Sequence, residues 1–118
     1  MQFTIKNELG VISIEGEVVK RIAGLAVMEC CGVVGMAVKN LKDGVEQFLK
    51  IENLSKGVRL SSQENGMTVD LHIIVEYGTN ISAIAETLMT NVKYRIQEYT
   101  GLPVRDVHIH VESVRADG

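Results

Sequence analysis

The sequence predicts one α+β domain spanning residues 1–118, in which two long helices cover one face of a sheet of about four strands. The length of 118 residues suits a single domain. Strand and helix patterns follow one another in the order strand, helix, short helix, strand hairpin, helix, strand. This order favours a two-layer sandwich with a mixed or antiparallel sheet. It is consistent with a ferredoxin-like βαββαβ arrangement, whose right-handed crossovers would place both helices on one face.

The first half of the chain contains the first strand region and the first helix. Residues 3–14 alternate apolar and polar side chains, as one bent strand or two short ones. Residues 16–31 predict an almost wholly apolar and therefore buried helix. Gly32 follows, where a positive φ commonly ends a helix. Apolar side chains at helical spacing over residues 41–51 predict a short extra helix.

The second half carries the clearer patterns. Residues 57–77 predict a hairpin, with an Asn-Gly turn inside 64–66. Residues 80–100 predict an amphipathic helix that Gly101 ends, and residues 104–114 predict a closing strand. The apolar stripes of these elements predict one shared core that includes Leu71, Ile73, Ile84, Leu88, Val92 and Ile109.

Composition argues against nucleic-acid binding. The net charge is −3, whereas domains that bind phosphates usually carry a basic excess. The chain has no Trp, three Tyr and two Phe, so it offers few aromatic platforms on which bases could stack. The pattern Gly32-Val33-Val34-Gly35 matches the Gly-x-x-Gly clamp of KH domains. Its central residues are apolar, which favours a turn or a short extended piece after the helix.

The two cysteines, Cys30 and Cys31, are adjacent. Neighbouring Cα atoms lie ~3.8 Å apart, less than the ~4.4–6.8 Å of ordinary disulfides. Free thiols in a reducing compartment are therefore expected. Catalysis by these thiols is not expected, because no histidine is near in sequence and Glu29 would disfavour a thiolate. Neither a nucleophilic serine motif nor a phosphate loop is present, so the sequence predicts no enzyme and no cofactor.

A cytoplasmic location is predicted from the lack of targeting patterns. The first seven residues have no basic start and no apolar run. The longest apolar stretch, residues 22–38, contains Glu29 and three glycines and falls short of the ~20 residues of a membrane span. Membrane association is therefore expected only through a partner.

Four segments resemble the alkaline shock protein family, the YloU-like envelope stress response proteins of Gram-positive bacteria. They are a Gly-x-Ile-x-Ile-type strand at 10–14, a Gly-Val pair at 32–33, VDLHIIVEYG at 69–78 and TGLPVRDVHIHVESV at 100–114. The resemblance implies cytoplasmic proteins without enzymatic activity, linked to envelope or alkaline stress. It also implies that some members reach the membrane through an anchoring partner, and that some are linked by gene context to fatty-acid metabolism or a dihydroxyacetone-kinase-like protein.

The sheet face opposite the two helices is the candidate interaction face. Alternation along the predicted strands places seven residues there: Asp70, His72, Ile74, Glu76, His108, His110 and Glu112. Histidine side chains titrate near ~6.5, so the charge of this face would change around neutral pH. The pattern is equally that of a solvated surface, and both interpretations stay open.

A metal site on this face is the main chemical alternative. His108, His110 and Glu112 share one face of a strand and could bind zinc. Asp70, His72 and Glu76 fall on one face of another strand and could join them if the two strands were neighbours. A ferredoxin-like order would place the first strand between the two and hold the groups ~9–10 Å apart. We therefore expect no metal.

The leading hypothesis is a non-enzymatic interaction protein that binds a protein partner or a second copy of itself, without a small-molecule substrate. An RNA-binding module that uses the 32–35 turn is the first alternative, and a small histidine-ligated metalloprotein is the second.

Overall fold

The structure, a computed structural model, describes residues 1–40, 45–48 and 51–116, with side chains described for 1–37 and 54–116. Within these residues the elements are β1 Gln2–Asn7, β2 Gly10–Glu15, α1 Gly16–Met28, β3 Val33–Asn40, β4 Val45–Phe48, a 3-10 helix Ile51–Gly57, β5 Val58–Gln63, β6 Gly66–Glu76, α2 Ile81–Thr100 and β7 Val104–Arg115. The predicted α+β class is confirmed. The described strands form a two-stranded and a five-stranded sheet, rather than one sheet of about four strands.

Strand β6 is the centre of the five-stranded sheet. Along one edge it pairs in parallel with β7, from Met67 opposite Val104 to Glu76 opposite Arg115. Along the other edge it pairs antiparallel with β5 and then with β3, which lie end to end. Strand β4 extends the sheet beyond β3.

The strand order of the ferredoxin-like arrangement is wrong at the position of the first strand, and this affects the site. It places the first strand between the hairpin strand and the last strand, whereas β6 and β7 are direct neighbours. Residues 3–14 form two short strands, β1 and β2, and among the described strands each pairs only with the other. The Asn7 side chain closes their turn by accepting hydrogen bonds from the backbone N–H groups of Leu9 (2.8 Å) and Gly10 (3.1 Å). The first strand is therefore satisfied locally and does not enter the large sheet.

Helix α1 ends at Met28, earlier than the predicted residue 31. The turn that follows contains Gly32 at φ +92°, where a Cβ would lie 2.6 Å from Cδ1 of Ile84. Gly32 therefore provides the predicted positive φ and a close approach to α2. The helix is less completely buried than predicted, because Val18 and Leu25 are each 49% exposed.

The short helix predicted over residues 41–51 is wrong where the structure describes it. Val45–Phe48 is strand β4, with Val45 opposite Asn40 and Phe48 opposite Ala37 of β3. Residues 41–44 and 49–50 lie outside the described residues. A short segment with few apolar side chains fits helix and strand about equally well. Pairing with the edge of β3 decided the outcome.

Helix α2 agrees closely with its sequence pattern. Asn80 Oδ1 accepts a hydrogen bond from the Ala83 N–H at 3.1 Å, as an N-cap does. Gly101, at φ +77°, ends the helix, and its N–H bonds to the Gln97 carbonyl at 2.9 Å. The buried side of the helix consists of Ile84, Leu88, Val92 and Ile96.

One core joins both helices to one face of the five-stranded sheet. Val19, Ala23 and Val27 of α1 and the buried stripe of α2 belong to the same cluster as Leu71 and Ile73 of β6. Ile109 packs against it, half-buried. The predicted shared core is confirmed, and so is the placement of both helices on one side.

Candidate functional site

The candidate site is the sheet face opposite the helices, which we call the open face. Its centre lies on β6 and β7, which run in parallel register. Asp70 is directly opposite His108, and His72 is directly opposite His110. Residues opposite each other in neighbouring strands point to the same side of a sheet, so groups 40 residues apart along the chain come into contact.

Asp70 contacts two histidines, accepting a hydrogen bond from His110 and lying at ion-pair distance from His108. Its Oδ1 lies 2.9 Å from His110 Nε2 and 3.4 Å from His108 Nδ1. The hydrogen bond from His110 is the main cause that lowers the pKa of the Asp70 carboxyl, and the nearby His108 adds to it, while partial burial acts the other way. An ionised Asp70 is therefore the preferred state of this site.

His72 has a carboxylate of its own. Its Nδ1 lies 2.8 Å from Glu112 Oε1, and both side chains are largely covered, at 23% and 14% exposed. An ionised carboxylate only accepts hydrogen bonds, so the neutral imidazole carries its proton on Nδ1. The same argument puts the proton of neutral His110 on Nε2.

A β-bulge in β7 brings Glu112 to His72. Ile73 lies opposite Val111 and Ile74 lies opposite Ser113, so Glu112 is the extra residue between them. Bulges re-aim side chains and are common beside functional sites. The neighbouring Ser113 Oγ is buried and has no hydrogen-bond partner among the described residues.

The rings of His72 and His110 stack face to face, with centroids 4.7 Å apart and planes inclined by 14°. The contact joins the two carboxylate–histidine pairs into one linear chain of groups. We call this chain the histidine network; its members in order are Glu112, His72, His110, Asp70 and His108.

The structure thus brings together five of the seven predicted face residues. Ile74 and Glu76 lie outside the histidine network. Ile74 is 1% exposed, which makes it a buried apolar residue on the open face. Glu76 is exposed at the end of the strand, opposite Arg115.

Four flanking charges complete the site and were missed from the sequence. Arg59 of β5 lies opposite Asp70, Arg115 lies opposite Glu76, and Asp106, whose carboxylate is 3.5 Å from the Arg105 guanidinium, lies opposite Thr68. Polar alternation along residues 57–63 and 104–115 could have found them once the strand order was known.

The arrangement does not resemble a metal centre. Within the described residues, no group of three or more His, Cys, Asp and Glu side chains is arranged to hold a metal ion. Nδ1 of His72 and Nε2 of His110 each already face a carboxylate oxygen. The expected separation of ~9–10 Å between the groups of the two strands is wrong, because β6 and β7 are direct neighbours.

The other sequence candidates do not form a site in the described part of the chain. Cys30 and Cys31 are free thiols, and burial, followed by the neighbouring Cys31, raises the pKa of the Cys30 thiol. The segment Val33–Gly35 is not an open clamp loop, because it pairs with β6. Among the hydrogen bonds of described side chains, none links a Ser, Thr or Cys to a histidine.

Comparison with known proteins identifies the family. The model of the alkaline shock protein 23 family, described as having a cell envelope-related function, matches residues 4–116. The chain belongs to this family. The match confirms the resemblance drawn from the four sequence segments.

Several curated relatives are similar over the whole chain. The uncharacterized protein YloU of Bacillus subtilis (strain 168) is 41% identical over 116 residues, which is 98% of this chain and 97% of that protein. The uncharacterized protein Spy1614 of Streptococcus pyogenes serotype M6 is 31% identical over 100% of this chain and 98% of its own length. A "stress response regulator gls24 homolog" of Streptococcus pyogenes serotype M3 is 26% identical over 90% of this chain and 59% of its own.

No solved structure matches the chain significantly. Among the described helices, none combines the length and the apolar character required to cross a bilayer.

Proposed function

We propose that this protein is a non-enzymatic interaction protein of the cell envelope stress response, and that it binds a protein partner through the open face. The family description and the stress-response names of its relatives support the envelope link. The histidine network is the observation that supports the open face as the binding surface. It is an ordered set of polar groups on a sheet face that neither helix covers.

Several features favour protein binding over catalysis. Both carboxylates of the network are occupied by imidazoles, so the described groups offer no hydroxyl or thiol nucleophile beside a free base. The exposed or half-exposed members of the network, Asp70, His108 and His110, present hydrogen-bonding and charged groups that a protein partner can contact. The partner is a protein or a second copy of this chain, and membrane association occurs only through such a partner. No cofactor, small-molecule substrate or nucleic acid takes part.

The test is an affinity pull-down from cytoplasmic and membrane fractions with mass spectrometry. The wild type is compared with His108→Arg/His110→Arg, which places two permanent positive charges on the open face and nowhere else. A matched control, Glu86→Gln/Lys93→Asn, changes two exposed residues of α2 on the other side of the molecule. Each sample is run with and without RNase.

We expect the histidine variant to lose specific partners that the wild type and the α2 control both capture. Equal capture by the histidine variant would show that the open face is not the binding surface. Loss of capture after RNase treatment would instead favour nucleic-acid binding and would contradict the proposal.

A further inference from the structure

We infer that protonation of His72, His108 and His110 reverses the charge of the open face, so that it binds a cationic segment of a protein partner when the histidines are neutral and releases it when they are charged. The inference rests on the proposed function, because it concerns the same surface. It adds the chemistry of the partner and the signal that controls binding.

The geometry allows the network to gain protons without breaking its hydrogen bonds. His72 donates to Glu112 through Nδ1, and His110 donates to Asp70 through Nε2. The second proton of each ring enters at the opposite nitrogen, so both existing bonds remain. They become charge-assisted and therefore stronger. The face can thus change its charge while its side chains stay in place.

The stacked rings make this response a property of the whole network. Two parallel imidazoles with centroids 4.7 Å apart would repel each other if both were charged. Each ring has its own carboxylate on the outer side, Glu112 for His72 and Asp70 for His110, which offsets that repulsion. Removing either carboxylate should therefore alter how its ring takes up a proton, since interacting groups titrate as a set.

Charge counting indicates which partner the face fits. The carboxylates of Asp70 and Glu112 give the network a charge of −2 with neutral histidines and +1 with three imidazoliums. The flanking charged groups are Glu76 and Asp106 against Arg59, Arg105 and Arg115. With these five groups included, the net charge of the open face is −1 when the histidines are neutral and +2 when all three are protonated. The described side chains of β3, residues 33–37, add no titratable group, and both helices lie on the other face.

A reversal of sign favours a partner of opposite charge in one state only. Complementary charge attracts a cationic segment at the negative face, and like charge repels it after protonation. Around neutral pH, Asp, Glu and Lys side chains ordinarily keep their charge, whereas histidine is the side-chain type whose charge ordinarily changes.

The first measurement uses the protein alone and needs no partner. Histidine ring resonances are followed by NMR from pH 5 to 9 in the wild type, Asp70→Asn and the control Glu86→Gln. We expect Asp70→Asn to shift the titration curves of His108 and His110 to lower pH, because an imidazolium loses its carboxylate. The control should leave these curves unchanged. Superimposable curves in the wild type and Asp70→Asn would overturn the inference.

The second measurement tests the partner chemistry with a fluorescein-labelled peptide of alternating lysine and alanine. Its affinity is measured by fluorescence anisotropy in low salt at pH 8 and pH 5.5. We expect the wild type to bind at least about tenfold more weakly at pH 5.5. His72→Gln/His108→Gln/His110→Gln, which cannot take up these protons, should bind equally at both values. Glu112→Gln should bind more weakly than Glu86→Gln at pH 8.

The outcomes separate this inference from the proposed function. A triple variant that keeps the pH dependence of the wild type, or a wild type that binds equally at both values, overturns the inference. In either case the pull-down result on the histidine variant still decides whether the open face binds a partner. If that pull-down fails while the NMR curves shift as expected, the proposed function is wrong although the network exists.

Discussion

The two faces of the five-stranded sheet are built from the same strands but are held together by different forces. On the helix-covered face, alternate residues of β6 such as Leu71 and Ile73 are fully buried among apolar side chains. On the open face, the intervening residues Asp70 and His72 are held by directional hydrogen bonds and remain partly exposed. Apolar burial supplies most of the folding free energy, whereas an exposed ion pair contributes little. The covered face should therefore control stability and the open face should control binding.

Ile74 differs from the other open-face residues because it is apolar and buried. It lies on the open face, yet it is 1% exposed and sits outside the main core cluster. It neighbours the β7 bulge, where Ser113 is its register partner. The open face therefore includes one residue whose substitution should affect stability rather than binding.

The largest effect is expected on the covered face. Leu88 is fully buried, and Leu88→Ala should lower the free energy of unfolding by about 2–5 kcal/mol because it leaves a cavity. Met89, its 40% exposed neighbour, serves as the matched control, and Met89→Ala should cost less than ~1 kcal/mol. Urea denaturation measures both. A cost below about 1 kcal/mol for Leu88→Ala would contradict the placement of this stripe in the core.

The next effect tests whether Ile74 behaves like a core residue. Ile73→Val and Ile74→Val remove the same methyl group from opposite faces of β6. Because both residues are buried, each should cost about 0.5–1.5 kcal/mol. Denaturation curves of the two variants should therefore be similar. A neutral Ile74→Val beside a destabilising Ile73→Val would show that the open face is solvated throughout.

A smaller effect should appear as a pH dependence at Asp70. The pKa of Asp70 is lowered, chiefly by the His110 hydrogen bond. The stability it contributes is therefore present above the unfolded pKa of ~3.9 and is lost as the pH falls through the lower folded pKa. Asp70→Asn should be less stable than the wild type by up to ~1 kcal/mol near pH 5, and the difference should close below about pH 4.

Thermal melts from pH 2.5 to 7 measure this difference. A double-mutant cycle with His110→Gln isolates the pair, because a real interaction makes the two single effects non-additive. Curves for the wild type and Asp70→Asn that stay parallel down to pH 2.5 would show that the hydrogen bond does not stabilise the folded state.

The last prediction is that the purified protein contains no bound zinc. Protein purified without a histidine tag should contain no stoichiometric zinc by elemental analysis, because among the described residues no group of three or more His, Cys, Asp and Glu side chains is arranged to hold an ion. Zinc at one ion per chain that is lost in His108→Ala would contradict this and would change the interpretation of the open face.

Features of the fold that have local causes could be predicted from the amino-acid sequence. The 80–100 helix was predictable because its apolar stripe, the Asn80 cap and Gly101 are all encoded within one segment. The hairpin of β5 and β6 was predictable from the turn residues 64–66, although Glu64 and Asn65 form the two-residue loop and Gly66 begins β6. Alternation along β6 correctly separated core residues from open-face residues, because side chains of a strand alternate whatever its neighbours are.

Tertiary structure alone decided which strands are neighbours, and that decided the site. The pairing of β6 with β7 joins residues about 40 positions apart, and no local pattern encodes such a contact. Local sequence also did not determine β4, which is a strand because it pairs with the edge of β3. Nor did it determine the bulge in β7 that turns Glu112 toward His72. Alternation along the strands could place three histidines on one face, but only the parallel register could stack two of them and give each a carboxylate. Such pairings depend on the hydrogen-bonding needs of whole strands, which are satisfied only once the chain has folded.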